Sequence, residues 1–231
     1  MKRIVQPEYL DQLPPADPQA LRSRRDLRRL NALMRHPAIL AAHLRRFARQ
    51  NHFNKITELG AGDGKFLLCA AQKTSSPVPW QNVTLLDFKD HVSPETLASF
   101  KKIGWQPRVV VADVFQWPAA ETQIVVSNLF LHHFETGPLQ MLLSLIAQRA
   151  ELFIAIEPRR CQWSLAWSQL LGLIGCNAVT RHDAVVSVKA GFAARELSGL
   201  WPGGAGWQLT EKFVPPFSHL FVAQRVGAAQ K

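Results

Sequence analysis

The chain has 231 residues, 47% of them apolar and 19% charged. That is enough to bury a core and excludes a disordered tail, a fibrous repeat and a small disulfide scaffold. The net charge of +10 is uneven: residues 1–55 hold 12 basic and 4 acidic side chains, the rest 15 and 13. The basic character belongs to one end, which weakens any argument for a nucleic-acid partner from the whole-chain charge. Cys69, Cys161 and Cys176 are scattered and form no CxxC pair. With a polar stretch after Met1-Lys2-Arg3, the expectation is a reduced, cytoplasmic protein. No membrane span is expected either. The nearest candidate, Trp163–Val179, contains Ser164, Ser168, Gln169 and Asn177 and falls short of the ~20 apolar residues a span needs.

In chain order, the first twenty residues carry Pro7, Pro14, Pro15 and Pro18 and read as an extended arm. A helix is predicted from about Gln19, with Leu27, Leu30 and Met34 on one face and Arg22, Arg25 and Arg29 on another. Pro37 ends it and opens a second helix with apolar Leu40, Leu44 and Phe47. From Asn54 short apolar runs alternate with helical spacing. Strands are predicted at Ile56–Leu59, Val83–Leu86, Val109–Val111, Ile124–Val126 and Leu152–Ile156, and helices at Lys65–Gln72, Pro94–Lys102 and Pro138–Arg149. This alternation predicts an α/β fold with a mainly parallel sheet. Trp207–Val214 and His219–Val226 leave no room for a helix between them, so they are expected as an antiparallel hairpin at one edge. The stretch Arg159–Gly206 is longer than one crossover needs. It is read as an apolar helix bearing Trp163 and Trp167, then Arg181-His182-Asp183, then a helical segment Phe192–Trp201.

Between the first strand and first helix of the alternation lies Glu58-Leu59-Gly60-Ala61-Gly62-Asp63-Gly64. Glycines there permit a sharp turn and bring backbone N–H groups close to a ligand at a helix N-terminus. The dinucleotide fingerprint would want a small residue at 65, where this chain has Lys65, and the third glycine comes one position early. The acidic-x-GxGxG pattern resembles motif I of the class I S-adenosylmethionine-dependent methyltransferases. The resemblance continues over about residues 54–226. Leu85-Leu86-Asp87 ends the second strand, Ala112-Asp113-Val114 the third, and Ser127-Asn128-Leu129-Phe130-Leu131-His132-His133-Phe134 follows the fourth.

The resemblance implies a seven-stranded Rossmann-like methyltransferase fold over residues 53–231. Residues 1–52, which enter just before the first strand and carry an apolar face that needs covering, are expected to form an arm and helical lid over it. The resemblance also implies S-adenosylmethionine as cofactor and S-adenosylhomocysteine as product. Glu58 would anchor the glycine loop by hydrogen bonds, and Gly60, Ala61 and Gly62 would flank the methionine part. Asp87 would take the ribose hydroxyls with Phe88 beside it, Asp113 and Val114 the adenine, and Asn128 would complete the pocket. A sulfonium is already an activated methyl donor and no Cys/His cluster stands out, so no metal is expected.

The acceptor is expected to be a small molecule. The fourth-strand motif lacks the prolines that resemble base-amine methylation, whereas Leu-His-His resembles the small-molecule branch. His132 or His133 is the candidate base for a phenolic or enolic hydroxyl. Trp163 and Trp167 are candidates to line the acceptor site, with Arg159 at its edge. Tyr9 and one of Arg24, Arg25 or Arg28, with Arg25 put first, are candidates from the N-terminal segment to reach the cofactor carboxylate or the acceptor. The stretch Tyr9-Leu10-Asp11-Gln12-Leu13-Pro14, with Ser23-Arg24-Arg25-Asp26-Leu27-Arg28-Arg29-Leu30-Asn31, resembles bacterial methyltransferases of polyketide and phenolic-lipid pathways. The alternative is an RNA or protein methyltransferase that docks an anionic partner on its basic helices.

Overall fold

A computed structural model describes residues 1–49, 53–74, 82–117 and 122–227. Five strands run parallel: β1 (Lys55–Leu59), β2 (Asn82–Asp87), β3 (Gln106–Val111), β4 (Ile124–Asn128) and β5 (Leu152–Pro158). The hairpin β6 (Trp207–Val214) and β7 (Ser218–Arg225) completes a seven-stranded sheet of order β3-β2-β1-β4-β5-β7-β6. β7 lies antiparallel between β5 and β6, with Ile154 opposite Val222 and Phe213 opposite His219. Every residue of β5 is buried, the pattern of a strand covered on both faces. Pro107 is tolerated because β3 is an edge strand.

The N-terminal segment forms α1 (Tyr9–Gln12), α2 (Pro18–Leu33) and α3 (His36–Ala48). Asp17 caps α2 by accepting from the N–H groups of Gln19 and Ala20 at 2.7 and 3.3 Å. The break before α3 is made by Arg35, left-handed at φ 60°, with Pro37 in the first turn. The expected arm is therefore not wholly extended. α1 forms because the Asp183 carboxylate accepts from the N–H groups of Tyr9 and Leu10 at 2.8 and 2.9 Å.

The sheet buries two apolar layers. On one face Leu40, Leu44 and Phe47 of α3 pack with Leu67 and Leu68 of α4 (Lys65–Gln72) and Phe100 of α5 (Pro94–Lys102). On the other, Leu139, Leu142, Leu143 and Ile146 of α6 (Thr136–Arg149) pack with Phe153, Phe192 and Trp201. The segment after β5 departs most from the sequence reading. α7 (Gln162–Gln169) runs into a 3-10 turn, Leu170–Ile174, which ends at Gly175 with φ 80°. Asn177 then caps α8 (Ala178–Ala190), so Arg181-His182-Asp183 is helical. The segment expected to be helical from Phe192 reduces to α9 (Glu196–Leu200). Phe192 instead bridges Arg159 in extended form, its N–H bonded to Pro158 O at 3.0 Å.

Candidate active site

Strand order reverses between β1 and β4, the place where open α/β sheets bind ligands. A cavity of about 780 Å³ opens there. The glycine loop forms its floor. Gly60, Gly62 and Gly64 all have positive φ, at 65°, 54° and 70°, which L side chains rarely adopt. Gly60 is also needed for space, since a Cβ there would sit 2.3 Å from the Phe130 ring. Leu129, left-handed at φ 54° without being glycine, turns the chain off β4 beside this contact.

Asp87 accepts from Gly62 N–H at 2.8 Å and from Lys89 N–H at 3.0 Å, which ties β2 to the loop. Asp113 caps the turn at Val114 by accepting from Phe115 N–H at 2.9 Å. Glu58, Gly60, Ala61, Gly62, Asp87, Phe88, Asp113, Val114 and Asn128 all line the cavity, so the residues assigned to the cofactor converge. One detail is corrected. Glu58 makes no hydrogen bond to the loop: its Oε2 is buried without a partner. Burial, with the nearby Asp63 and Asp87 charges, pushes its carboxyl well above the usual range. A buried acceptor without a partner and two neighbouring carboxylates suit a cationic, amine-bearing ligand, and these residues therefore fit S-adenosylmethionine.

The opposite wall comes from residues between Glu8 and Pro37 and from His132, His133 and Phe134 after β4. His132 is buried with both nitrogens engaged: Nδ1 lies 2.8 Å from Glu157 Oε2 and Nε2 lies 3.2 Å from Glu8 Oε1. Burial alone would lower its pKa. The hydrogen bonds and charges of Glu157 and Glu8 outweigh burial and raise the imidazole to about 9. Glu8 is held down to about 2 against its own burial by His132, with further help from His133 and Ser187. His132 is thus an imidazolium between two carboxylates and lacks the lone pair expected of a base. His133 differs. It lines the cavity, half-open, with Nδ1 3.4 Å from Asp11 Oδ2. Burial and the His132 charge push its pKa below the usual imidazole value.

Glu8, His132 and His133 bring potential ligand atoms within 4.8 Å of one another, a grouping the sequence reading did not foresee. Here the His132 nitrogens are committed to carboxylates, and the grouping works as an ion-paired clamp. His36 is a second unforeseen member. Its Nδ1 lies 2.7 Å from Asn128 Oδ1 and its Nε2 2.6 Å from Ser218 Oγ. Burial drives it down to about 4, so it is neutral. Asn128 also donates to Asn31 Oδ1 at 3.2 Å.

Other expected acceptor residues lie elsewhere. Arg25 does not line the cavity, whereas Arg24 and Arg28, four apart on α2, do. Arg28 reaches Asp63 Oδ2 at 2.7 Å and links α2 to the glycine loop. Tyr9 stacks on His182, ring centroids 3.6 Å apart, and its neighbours Glu8, Leu10 and Asp11 line the cavity in its place. Arg159 lies over the Phe213 ring at 3.9 Å, outside this cavity. Trp163 and Trp167 are exposed and also outside it, because α7 turns its serines inward.

A glycine turn after β1, a switch point between β1 and β4 and an antiparallel last strand inside the sheet define the fold of the class I methyltransferases. Solved members superpose on it. The pyocyanin biosynthetic protein PhzM aligns with TM-score 0.59 and 17% identity, over 94% of this chain and 61% of its own. Magnesium protoporphyrin IX methyltransferase from Synechocystis PCC 6803, with bound SAM, gives 0.55 and 15% over 88% and 83%. The small RNA methyltransferase HEN1 gives 0.55 and 13% over 83% and 25%. This chain thus spans about three-fifths of PhzM and a quarter of HEN1. No protein-family model matches the chain, and no curated protein sequence matches it.

Proposed function

We propose that the chain binds S-adenosylmethionine and methylates a hydroxyl oxygen of a hydrophobic small molecule of phenolic or polyketide type. The observation that carries this reading is the pairing, across one cavity, of the glycine loop, Asp87 and Asp113 with a partly exposed His133 whose Nδ1 lies 3.4 Å from Asp11 Oδ2. About 780 Å³ is room for a nucleoside cofactor with a small acceptor beside it. The cofactor supplies an already activated methyl group, so the protein has to position the acceptor and remove its proton. His133 accepts the hydroxyl proton, and Asp11 orients the ring. His132 keeps its proton and positions its neighbour. The sulfonium chemistry needs no metal. Arg24 and Arg28 face the cavity, which accounts for part of the basic end without a polyanion.

The test is methyl incorporation, read by mass spectrometry, into a panel of phenols and enolic polyketides, with small RNAs alongside. His133→Ala should cut turnover by ~100-fold or more with S-adenosylhomocysteine affinity unchanged. Methylation of RNA and of no phenol would overturn the reading.

A further inference from the structure

Of the large apolar side chains that stand exposed, five fall within twelve residues: Trp163, Trp167, Leu170, Leu173 and Ile174. α7 is inside out. Ser164 and Ser168 are buried while Trp163 and Trp167 face water, at 65% and 44% exposure. The inward serines are satisfied locally, Ser164 against Cys161 Sγ at 3.2 Å and Ser168 by donating to Leu165 O at 2.7 Å. A helix that ends its folding against water shows the reverse arrangement. The following 3-10 turn carries Leu173 at 83% and Ile174 at 58% exposure, between Gly172 within the turn and Gly175 at its end. A contiguous apolar surface of this kind marks an interaction site. None of the five residues lines the cavity.

Arginines surround it. Arg159 precedes α7, and the Arg181 side chain lies against Gly172, where a Cβ would come 3.2 Å from its Cδ. Arg29 of α2 acts with Arg181 on the Cys176 thiol just past the turn; its side chain is 77% exposed and lies 3.7 Å from the buried Asp26 carboxylate. Among the described residues neither Arg159 nor Arg181 has an ion-pair partner within 4 Å. Two copies placed patch to patch would bring like charges together. Indoles that sit at a polar–apolar boundary, protruding aliphatics on a tight turn and a rim of guanidinium groups complement an anionic lipid surface.

We propose that α7 and the turn Leu170–Ile174 form a peripheral membrane-docking surface for anionic bilayers. The aliphatic tip enters the headgroup–acyl boundary and Arg29, Arg159 and Arg181 meet the lipid phosphates, each worth about fivefold in partitioning near a charged surface. The inference stands independently of the methyl-transfer reading. It is tested by co-sedimentation of the full chain with vesicles of phosphatidylcholine alone or with about one-third phosphatidylglycerol. Binding to the anionic vesicles should exceed binding to the neutral ones by at least ~10-fold and fall as salt is raised. Leu173→Glu with Ile174→Glu should lower it by at least ~10-fold with the melting temperature unchanged, because both side chains are exposed. Equal binding to the two vesicle types, no binding, or binding indifferent to the double substitution would overturn the proposal. A dimer on size-exclusion chromatography that the same substitutions dissolve would also overturn it, in favour of a second copy.

Discussion

Replacing Glu8 by Gln should change how stability depends on pH. In the folded protein the imidazole of His132 is clamped between Glu8 and Glu157, and both carboxylates are buried. Glu157 is itself fixed, its Oε1 accepting from Phe130 and Leu131 N–H at 3.1 and 2.9 Å. The pair lifts His132 from 6.5 to about 9 despite burial. A rise of that size corresponds to roughly 3 kcal/mol. The depression of Glu8 to about 2 is the same interaction seen from the carboxylate and is not added to it. Because the folded pKa of His132 is the higher one, its contribution is complete below pH 6.5 and disappears as pH rises through 9.

Glu8→Gln keeps an acceptor near Nε2 and removes the charge. At pH 6.5 it should cost about 2–3 kcal/mol, somewhat below the usual cost of breaking a buried pair because Glu157 stays in place. That lowers the melting temperature by roughly 5–10 °C for a chain of this length. The difference from the parent should shrink toward pH 9, where the parent loses the same term. Urea denaturation followed by tryptophan fluorescence between pH 6 and 9.5 measures both curves, and imidazole NMR gives the His132 pKa directly. Parallel pH profiles, or His132 titrating near 6.5 in the parent, would refute the reasoning.

Further outcomes are expected. Asp87→Ala should weaken S-adenosylhomocysteine binding by at least ~10-fold in calorimetry, because it removes the carboxylate proposed to take the ribose hydroxyls and frees Gly62 from its 2.8 Å bond. His36 has a folded pKa below its unfolded value, so its contribution is present above pH 6.5 and is lost as pH falls toward 4. His36→Gln should flatten that acid limb in the same denaturation series. Arg28→Ala should change global stability by less than about 1 kcal/mol, since Arg28 is about a third exposed. It should nevertheless speed limited proteolysis of residues 10–22, because it unties α2 from the glycine loop.

The central parallel strands were legible because both of their faces are covered, which writes an uninterrupted apolar run such as Leu152–Ile156, whereas edge strand β3 is half exposed. The hairpin followed from the lack of room for a crossover, and the cofactor half of the site from glycines and carboxylates at strand ends. The acceptor half was not legible, for a physical reason: its members are set by contacts distant in sequence. Glu8 and Asp11 lie in a proline-rich stretch without periodicity, and Glu8 is held by His132 and Ser187 from two other elements. Of the three candidate arginines, Arg25 falls on the wrong helical face, and the four-residue spacing of Arg24 and Arg28 is the signal that separates them. The periodicity of Trp163 and Trp167 gave the helix correctly. It could not say which side faced inward, because buried serines with local hydrogen bonds reverse the usual sign.

The two halves of the cavity are held in different ways. The cofactor half stands on strand ends of a covered sheet, where packing fixes geometry. The acceptor half stands on the first 36 residues, which polar ties attach to the domain. Arg3 donates to His132 O and Phe134 O at 3.3 and 2.9 Å, Ile4 N–H to Lys189 O at 3.1 Å, and Lys89 Nζ to Asp11 O at 2.6 Å. α3 is different again, because its Leu40, Leu44 and Phe47 belong to the sheet's own core. The segment is therefore anchored by burial at its C-terminal end and by charge at its N-terminal end. Fluctuation of the acceptor wall should be greatest where only polar ties hold it, around Tyr9–Pro15, and least at α3. Since Asp11 lies in the loosely held part, Glu8 immediately precedes it, and the two act on His133 and His132, the protonation of the two histidines depends on whether that part is docked. Undocking it would leave His132 facing Glu157 alone and His133 without Asp11, which would couple the competence of His133 as the proposed base to closure of this wall.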